Sequence, residues 1–135
     1  MAEVRLQTYW ADCDPAGIVY FGNFFRILEQ AEEQIYLRAA KHRQKLFDTY
    51  DIWMPRVELH ANFVSPIRTG RAIRVLLDPQ FKGEKTVRFD FEIVDDETGM
   101  RLATGYMTAV CVSRTTFKAR PIPQEITEVL NGFRG

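Results

Sequence analysis

Beyond Asn23 the apolar residues Phe24, Ile27, Leu28, Ala31 and Ile35 recur every three or four positions, the spacing of one helical face. Asn23 is a candidate N-cap and Glu29, Glu32 and Glu33 fall in the N-terminal half, so the pattern predicts a helix running to about His42. On either side the period drops to two. Val4 to Trp10 alternates imperfectly and predicts a first strand. From Trp53 onward the chain reads as strands. Val57, Leu59, Ala61 and Phe63 alternate with Glu58, His60 and Asn62, which predicts a strand with one buried face, ended by Ser65-Pro66. Ala72 to Leu77 is the next expected strand, closed by Asp78-Pro79. Thr86 to Val94 sets Val87, Phe89, Phe91 and Ile93 against Arg88, Asp90 and Glu92, and the stretch from Asp95 to Gly99 reads as a hairpin turn. Leu102 to Val112 is a long apolar run, expected at the centre of the sheet. Pro123 to Leu130 predicts a short closing helix. The order of strand, long helix and four strands in hairpin succession is an α+β layout, one antiparallel sheet whose apolar face the helix covers. With no repeat, linker or low-complexity segment, residues 1–135 read as a single domain.

Composition narrows the function classes. Of 135 residues, 46% are hydrophobic, and 18 basic side chains balance 18 acidic ones. A net charge of zero speaks against nucleic-acid binding driven by phosphate contacts, and it leaves copies of the chain free to associate. No apolar stretch approaches the roughly 20 residues of a membrane span, and residues 1–6 lack a signal-peptide pattern. Cys13 and Cys111 make no disulfide framework. The expectation is a soluble, cytoplasmic protein.

The loop Asp12-Cys13-Asp14-Pro15-Ala16-Gly17 leading into the helix is the most informative feature for chemistry. Two carboxylates lie near a helix N-terminus, whose unpaired N–H groups favour negative charge. Those N–H groups can polarise a carbonyl while a carboxylate attacks it or activates water. The competing reading is a plain tight turn, with Gly17 supplying a positive φ. Cys13 is a poor rival nucleophile, because flanking Asp12 and Asp14 disfavour its thiolate; Cys111, inside an apolar strand, reads as a small core residue. His42 and His60 have no metal-ligand spacing, so no metal site is expected, and His60 reads as solvated. The G-x-S-x-G, P-loop and G-x-G-x-x-G signatures are all missing. Charge is unevenly spread along the chain. Residues 1–40 hold three basic and six acidic groups, while none of residues 98–124 is acidic. Arg101, Arg114, Lys118 and Arg120 fall in that stretch and, with Lys82 and Lys85, are candidates for a phosphate-binding rim; a solvated loop is the alternative.

The run Asp12-Cys13-Asp14-Pro15-Ala16-Gly17-Ile18-Val19-Tyr20-Phe21-Gly22-Asn23-Phe24-Phe25 closely resembles the active-site loop of hydroxybenzoyl-coenzyme A thioesterases and their acyl-CoA thioesterase relatives. The resemblance extends over most of the chain, including Asn62-Phe63, the Thr86 to Ile93 strand and the segment from Val112 to Pro123. It implies a hot-dog fold, a long helix wrapped by a curved antiparallel sheet, in a homodimer or homotetramer with active sites between subunits. Carried over by position, Asp14 matches the catalytic carboxylate, as nucleophile or as general base. The backbone N–H of Phe21 matches the group that polarises the thioester carbonyl. Asp12 falls to loop architecture. Gly17, Ile18, Val19 and Tyr20 are candidates for the substrate-binding side, the last three as acyl-pocket residues or, equally, ordinary core. Glu29 aligns with a helix carboxylate that contacts the substrate hydroxyl, where the hydroxybenzoyl enzyme has aspartate. Lys85 and Thr86 match a turn near the coenzyme A phosphates, with Arg114, Lys118 and Arg120 as further candidates.

The resulting expectation is hydrolysis of an acyl-CoA to free acid and coenzyme A. An aromatic acyl group of hydroxybenzoyl or hydroxynaphthoyl type is favoured over short or medium chains. No cofactor is expected, coenzyme A being part of the substrate. An acyl carrier protein is an alternative donor, and a non-catalytic acyl-thioester-binding module is the alternative class. A dehydratase would require a catalytic histidine motif that neither His42 nor His60 supplies.

Overall fold

A computed structural model describes residues 1–134. The chain runs β1 (Ala2–Gln7), a single 3-10 turn (Trp10–Asp12), α1 (Phe21–Arg38), α2 (Arg43–Tyr50), β2 (Ile52–Trp53), β3 (Arg56–Phe63), β4 (Ala72–Phe81), β5 (Thr86–Asp95), β6 (Arg101–Val110), β7 (Val112–Ser113) and α3 (Gln124–Asn131). Five strands form one antiparallel sheet in the order β1-β4-β5-β6-β3, and β2 pairs with β7 separately. The expected α+β hot-dog arrangement is present: α1 lays Phe24, Leu28, Ala31 and Ile35 against Ile73, Val75 and Leu77 of β4, Phe89, Phe91 and Ile93 of β5, and Ala103 and Met107 of β6. Strict alternation along β4 and β5 is what commits those residues to one face. Among the described residues no helix is long and apolar enough to cross a membrane.

Several elements differ from expectation for identifiable reasons. The first strand stops at Gln7, and α1 starts at Phe21 with Tyr20, not Asn23, as its N-cap. The helix ends at Arg38 because Ala40 turns left-handed (φ 59°), while the Lys41 N–H reaches the Tyr36 carbonyl at 2.9 Å and the Ala40 N–H that of Leu37 at 3.0 Å. That is a Schellman ending built without glycine. β4 continues through Asp78-Pro79 to Phe81. β1 pairs it only as far as Leu77, so Pro79 sits where β4 is locally an edge and a missing N–H is tolerated. β5, not β6, is the central strand, and only β4, β5 and β6 follow one another as neighbours.

β3 is the larger departure. Its apolar row meets the core only in part: Ala61 packs against it and the Phe63 ring stands against Phe24, while Val57, Leu59 and Phe63 are 60%, 48% and 56% exposed at the open edge of the sheet. Beneath its start lies a buried carboxylate, Glu32 of α1, held by Arg43 at 3.2 Å and by Arg56 of β3. Nearby Tyr36 has its phenol pushed well above the usual range by burial and by the Glu32 charge.

Close packing of β3 on β6 depends on Gly105. A Cβ there would stand 2.0 Å from the His60 carbonyl oxygen and 2.7 Å from Cζ of Phe91. Gly105→Ala should therefore destabilise the fold by about 2 kcal/mol or more, as overpacking does. Urea unfolding measures that loss, and amide exchange should be fastest along β3.

Candidate active site

Residues 12–20 fold back on themselves before the helix begins. Asp14 starts a tight turn in which the Gly17 N–H donates to the Asp14 carbonyl at 2.9 Å and the Ala16 N–H to Asp14 Oδ1 at 2.8 Å. Proline second and glycine last suit such a turn, and Gly17 takes φ +78°. The Asp14 N–H returns to the Ile18 carbonyl at 2.9 Å, and Cys13 bridges to Val19. The tight-turn geometry is thus real. It holds one carboxylate oxygen on a backbone amide while Asp14 lines a cavity.

The same loop is tied to the helix start. The Asp12 carbonyl accepts the Tyr20 N–H at 3.0 Å and the Asn23 side-chain amide at 3.2 Å. Asp12 Oδ2 accepts the Tyr9 N–H at 2.9 Å, which is the loop role expected of it. Asn23 is accordingly a clasp within the first turn rather than its cap. The Phe21 and Gly22 N–H groups head the helix, where no intrahelical carbonyl is available to them. Exposed Tyr20 lays its ring over Gly22, where a Cβ would meet Cε2 at 2.5 Å.

The cavity, about 370 Å³, is lined on one side by Asp14, Ile18, Val19 and Phe21 and on the other by residues 63–67. Sequence reasoning missed that second wall, which lies some 45 residues further along the chain. Its available signal was the strand-ending Phe63-Val64-Ser65-Pro66, two exposed apolar residues followed by a turn. Gly17 shapes the turn, and neither Gly17 nor Tyr20 lines the cavity. Glu29 lies elsewhere: half-way along α1, its carboxylate meets Arg43 at 3.1 Å.

Arg101 opens β6 at the cavity end and pairs with Glu92 at 3.2 Å, while Lys85, Thr86 and Arg120 gather at the opposite end of the sheet. The Cys111 N–H donates to the Lys85 carbonyl at 2.8 Å and the Arg120 N–H to that of Cys111 at 2.9 Å, so Lys85, Thr86 and Arg120 are neighbours. Lys118 is exposed on the turn after β7, its carbonyl accepting the Ser113 N–H. The Arg114 guanidinium is engaged within the chain. It binds Asp48 at 2.6 Å and the Ile52 carbonyl at 3.0 Å, and stacks 3.8 Å from the Trp53 ring centre. Phe63 pairs with Ala103 near the cavity end of β6, whereas Thr86 pairs with Val110 at its other end. Those ends are roughly 23 Å apart at strand rise. Cys13 is half-buried with its thiol 3.5 Å from the Tyr9 carbonyl, while burial pushes the Cys111 thiol up. His60 is exposed and stacks on Tyr106. Among the described residues no group of three or more His, Cys, Asp and Glu is placed to hold a metal ion.

A family model described as the thioesterase-like superfamily matches residues 8–130. The chain is 30% identical over 120 residues to a 1,4-dihydroxy-2-naphthoyl-CoA hydrolase of Synechocystis sp., with 87% of this chain and 86% of that protein covered. It is 26% identical over 126 residues to a protein of the same name from Thermosynechococcus vestitus, covering 93% and 86%. The crystal structure of a 1,4-dihydroxy-2-naphthoyl-CoA thioesterase from Synechocystis superposes with a TM-score of 0.89 at 26% identity, over 96% of this chain and 94% of that one.

The clasp between loop and helix yields a direct test. Asn23→Ala should cost about 1 kcal/mol, the worth of one hydrogen bond. Hydrogen exchange should quicken at the Tyr20 amide, which shares the Asp12 carbonyl, and stay unchanged along β5.

Proposed function

The chain belongs to the thioesterase-like superfamily, and on that premise we propose that it hydrolyses an aromatic acyl-CoA, of the hydroxylated naphthoyl or benzoyl type, to the free acid and coenzyme A. The observation that carries the chemistry is the pairing, at one cavity, of the Asp14 carboxylate with the first turn of α1. A thioester carbonyl set against the Phe21 N–H is polarised by an amide that has no other acceptor in its helix, aided by the helix dipole. Asp14, with Oδ1 held by Ala16, presents its other oxygen either to the carbonyl carbon or to the water that attacks it. The departing thiolate is stable enough to leave without a strong general acid. Apolar Ile18, Val19 and Phe21 suit an aromatic acyl group at this point.

Asp14→Asn keeps the turn's shape and removes the charge. It should lower kcat on aromatic acyl-CoAs by at least about 100-fold, with the Tm little changed. A thiol-release assay measures this, and full activity in the Asn variant would reject the mechanism. Carrier-protein esters of the same acids belong in that assay. Their faster cleavage would reassign the donor.

The reading includes association into at least a dimer. β3 offers an unpaired edge bearing exposed apolar side chains, a surface that monomers ordinarily blunt. Antiparallel pairing of two β3 edges sets the Phe63 end of one copy against the Arg56 end of the other. Lys85, Thr86 and Arg120 of the second copy then approach the Asp14 cavity of the first, where phosphates of a bound coenzyme A ester would lie. Within a single chain they are a sheet's length away. Leu59→Glu should give monomers by analytical ultracentrifugation and lower kcat/KM at least about tenfold through loss of the paired site. An active monomer would overturn this arrangement.

A further inference from the structure

We propose that Ser65 is the specificity-determining residue that reads a ring hydroxyl on the aromatic acyl group; this rests on the thioesterase reading above. The cavity walls are mainly aromatic and aliphatic. Phe63 stands edge-on to fully buried Phe24, with ring centres 4.8 Å apart and planes at 73°, so one wall is held by the core rather than free to swing. Such walls accept a flat ring but discriminate poorly between rings with and without a hydroxyl, because a hydrophobic site only weakly rejects an added polar group. Discrimination requires a polar group in the cavity.

Two polar side chains line it, Asp14 and Ser65. Asp14 belongs to the thioester carbonyl. Among the described residues the Ser65 hydroxyl has no hydrogen-bond partner, while its backbone is well fixed. The Val64 and Ser65 N–H groups both donate to the Leu102 carbonyl, at 2.9 and 3.1 Å, which kinks the chain out of β3 beside the cavity. A serine hydroxyl both donates and accepts, so it can pair with a phenol in either sense. Glu29, the other candidate for this task, does not line the cavity and has its carboxylate held by Arg43. A hydroxylated ring placed with its thioester carbonyl at Asp14 and Phe21 therefore meets its second polar partner at the opposite wall, on residues 63–67.

The test compares kcat/KM for 1,4-dihydroxy-2-naphthoyl-CoA with that for 2-naphthoyl-CoA, and for 4-hydroxybenzoyl-CoA with that for benzoyl-CoA. The enzymes are the parent, Ser65→Ala, Ser65→Thr and Glu29→Gln. Comparing ratios between variants cancels any intrinsic effect of the hydroxyl on thioester reactivity. Ser65→Ala should lower the hydroxylated-to-unsubstituted ratio about fivefold to tenfold, the worth of one neutral hydrogen bond. Ser65→Thr should preserve it. An unchanged ratio in Ser65→Ala would overturn the assignment, as would a ratio that collapses in Glu29→Gln alone. If the parent cleaves none of the four esters, the aromatic acyl-CoA reading falls and takes this assignment with it; cleavage with a ratio insensitive to Ser65 removes this assignment only.

Discussion

One carbonyl oxygen, that of Asp12, sets the geometry on which the rest depends. It accepts the Tyr20 backbone amide and the Asn23 side chain together, and so joins the loop leaving β1 to the first turn of α1. Without that junction the Asp14 carboxylate and the amides heading the helix would be two separate features of the surface. With it, a negative charge and a polarising dipole face one space at a separation the backbone controls. The turn around Asp14 engages only one of its two carboxylate oxygens.

How much of this was legible in the sequence follows from where each signal originates. The loop–helix junction is local: Asp14, Pro15, Gly17 and the apolar spacing from Phe24 lie within a short stretch, and their chemistry can be read in order. The alternation of β4 and β5 was equally plain, because both strands have a wet face and a dry one. α2 escaped notice since Leu46 is its one buried residue, too few for a period. The end of α1 escaped because Ala40, not glycine, turns left-handed there. β3 carried a correct pattern and an inference only partly met. Ala61 and the Phe63 ring do reach the core side, but Val57, Leu59 and Phe63 stay largely exposed because the strand lies at an open edge of the sheet. Periodicity reports that a surface wants covering; it does not say by what.

The second cavity wall illustrates a different limit. Residues 63–67 meet Asp14 only because β3 pairs with β6 and the chain then bends at Val64–Ser65, where both N–H groups bind the Leu102 carbonyl. No spacing rule links positions so far apart in sequence. The basic residues show the same limit inverted. Arg114 looks like a free cation in a stretch lacking acids, yet Asp48 and the face of Trp53, both far upstream, occupy it. Charge counts along a chain cannot separate cations that hold the fold from those left for a ligand.

The position of β1 in the sheet governs the order in which the molecule can assemble. β4, β5 and β6 are joined by short turns and can pair early, whereas β1 joins β4 with Ala2 opposite Leu77, a closure spanning most of the chain. The loop bearing Asp14 lies between β1 and α1, and its residues 17–19 pair with 67–69 just before β4. The turn at Asp14 closes through its own local hydrogen bonds, but the second wall of its cavity, residues 63–67, reaches it only when these long-range pairings form. If the proposed site is the working one, recovery of activity on refolding should lag the recovery of secondary structure.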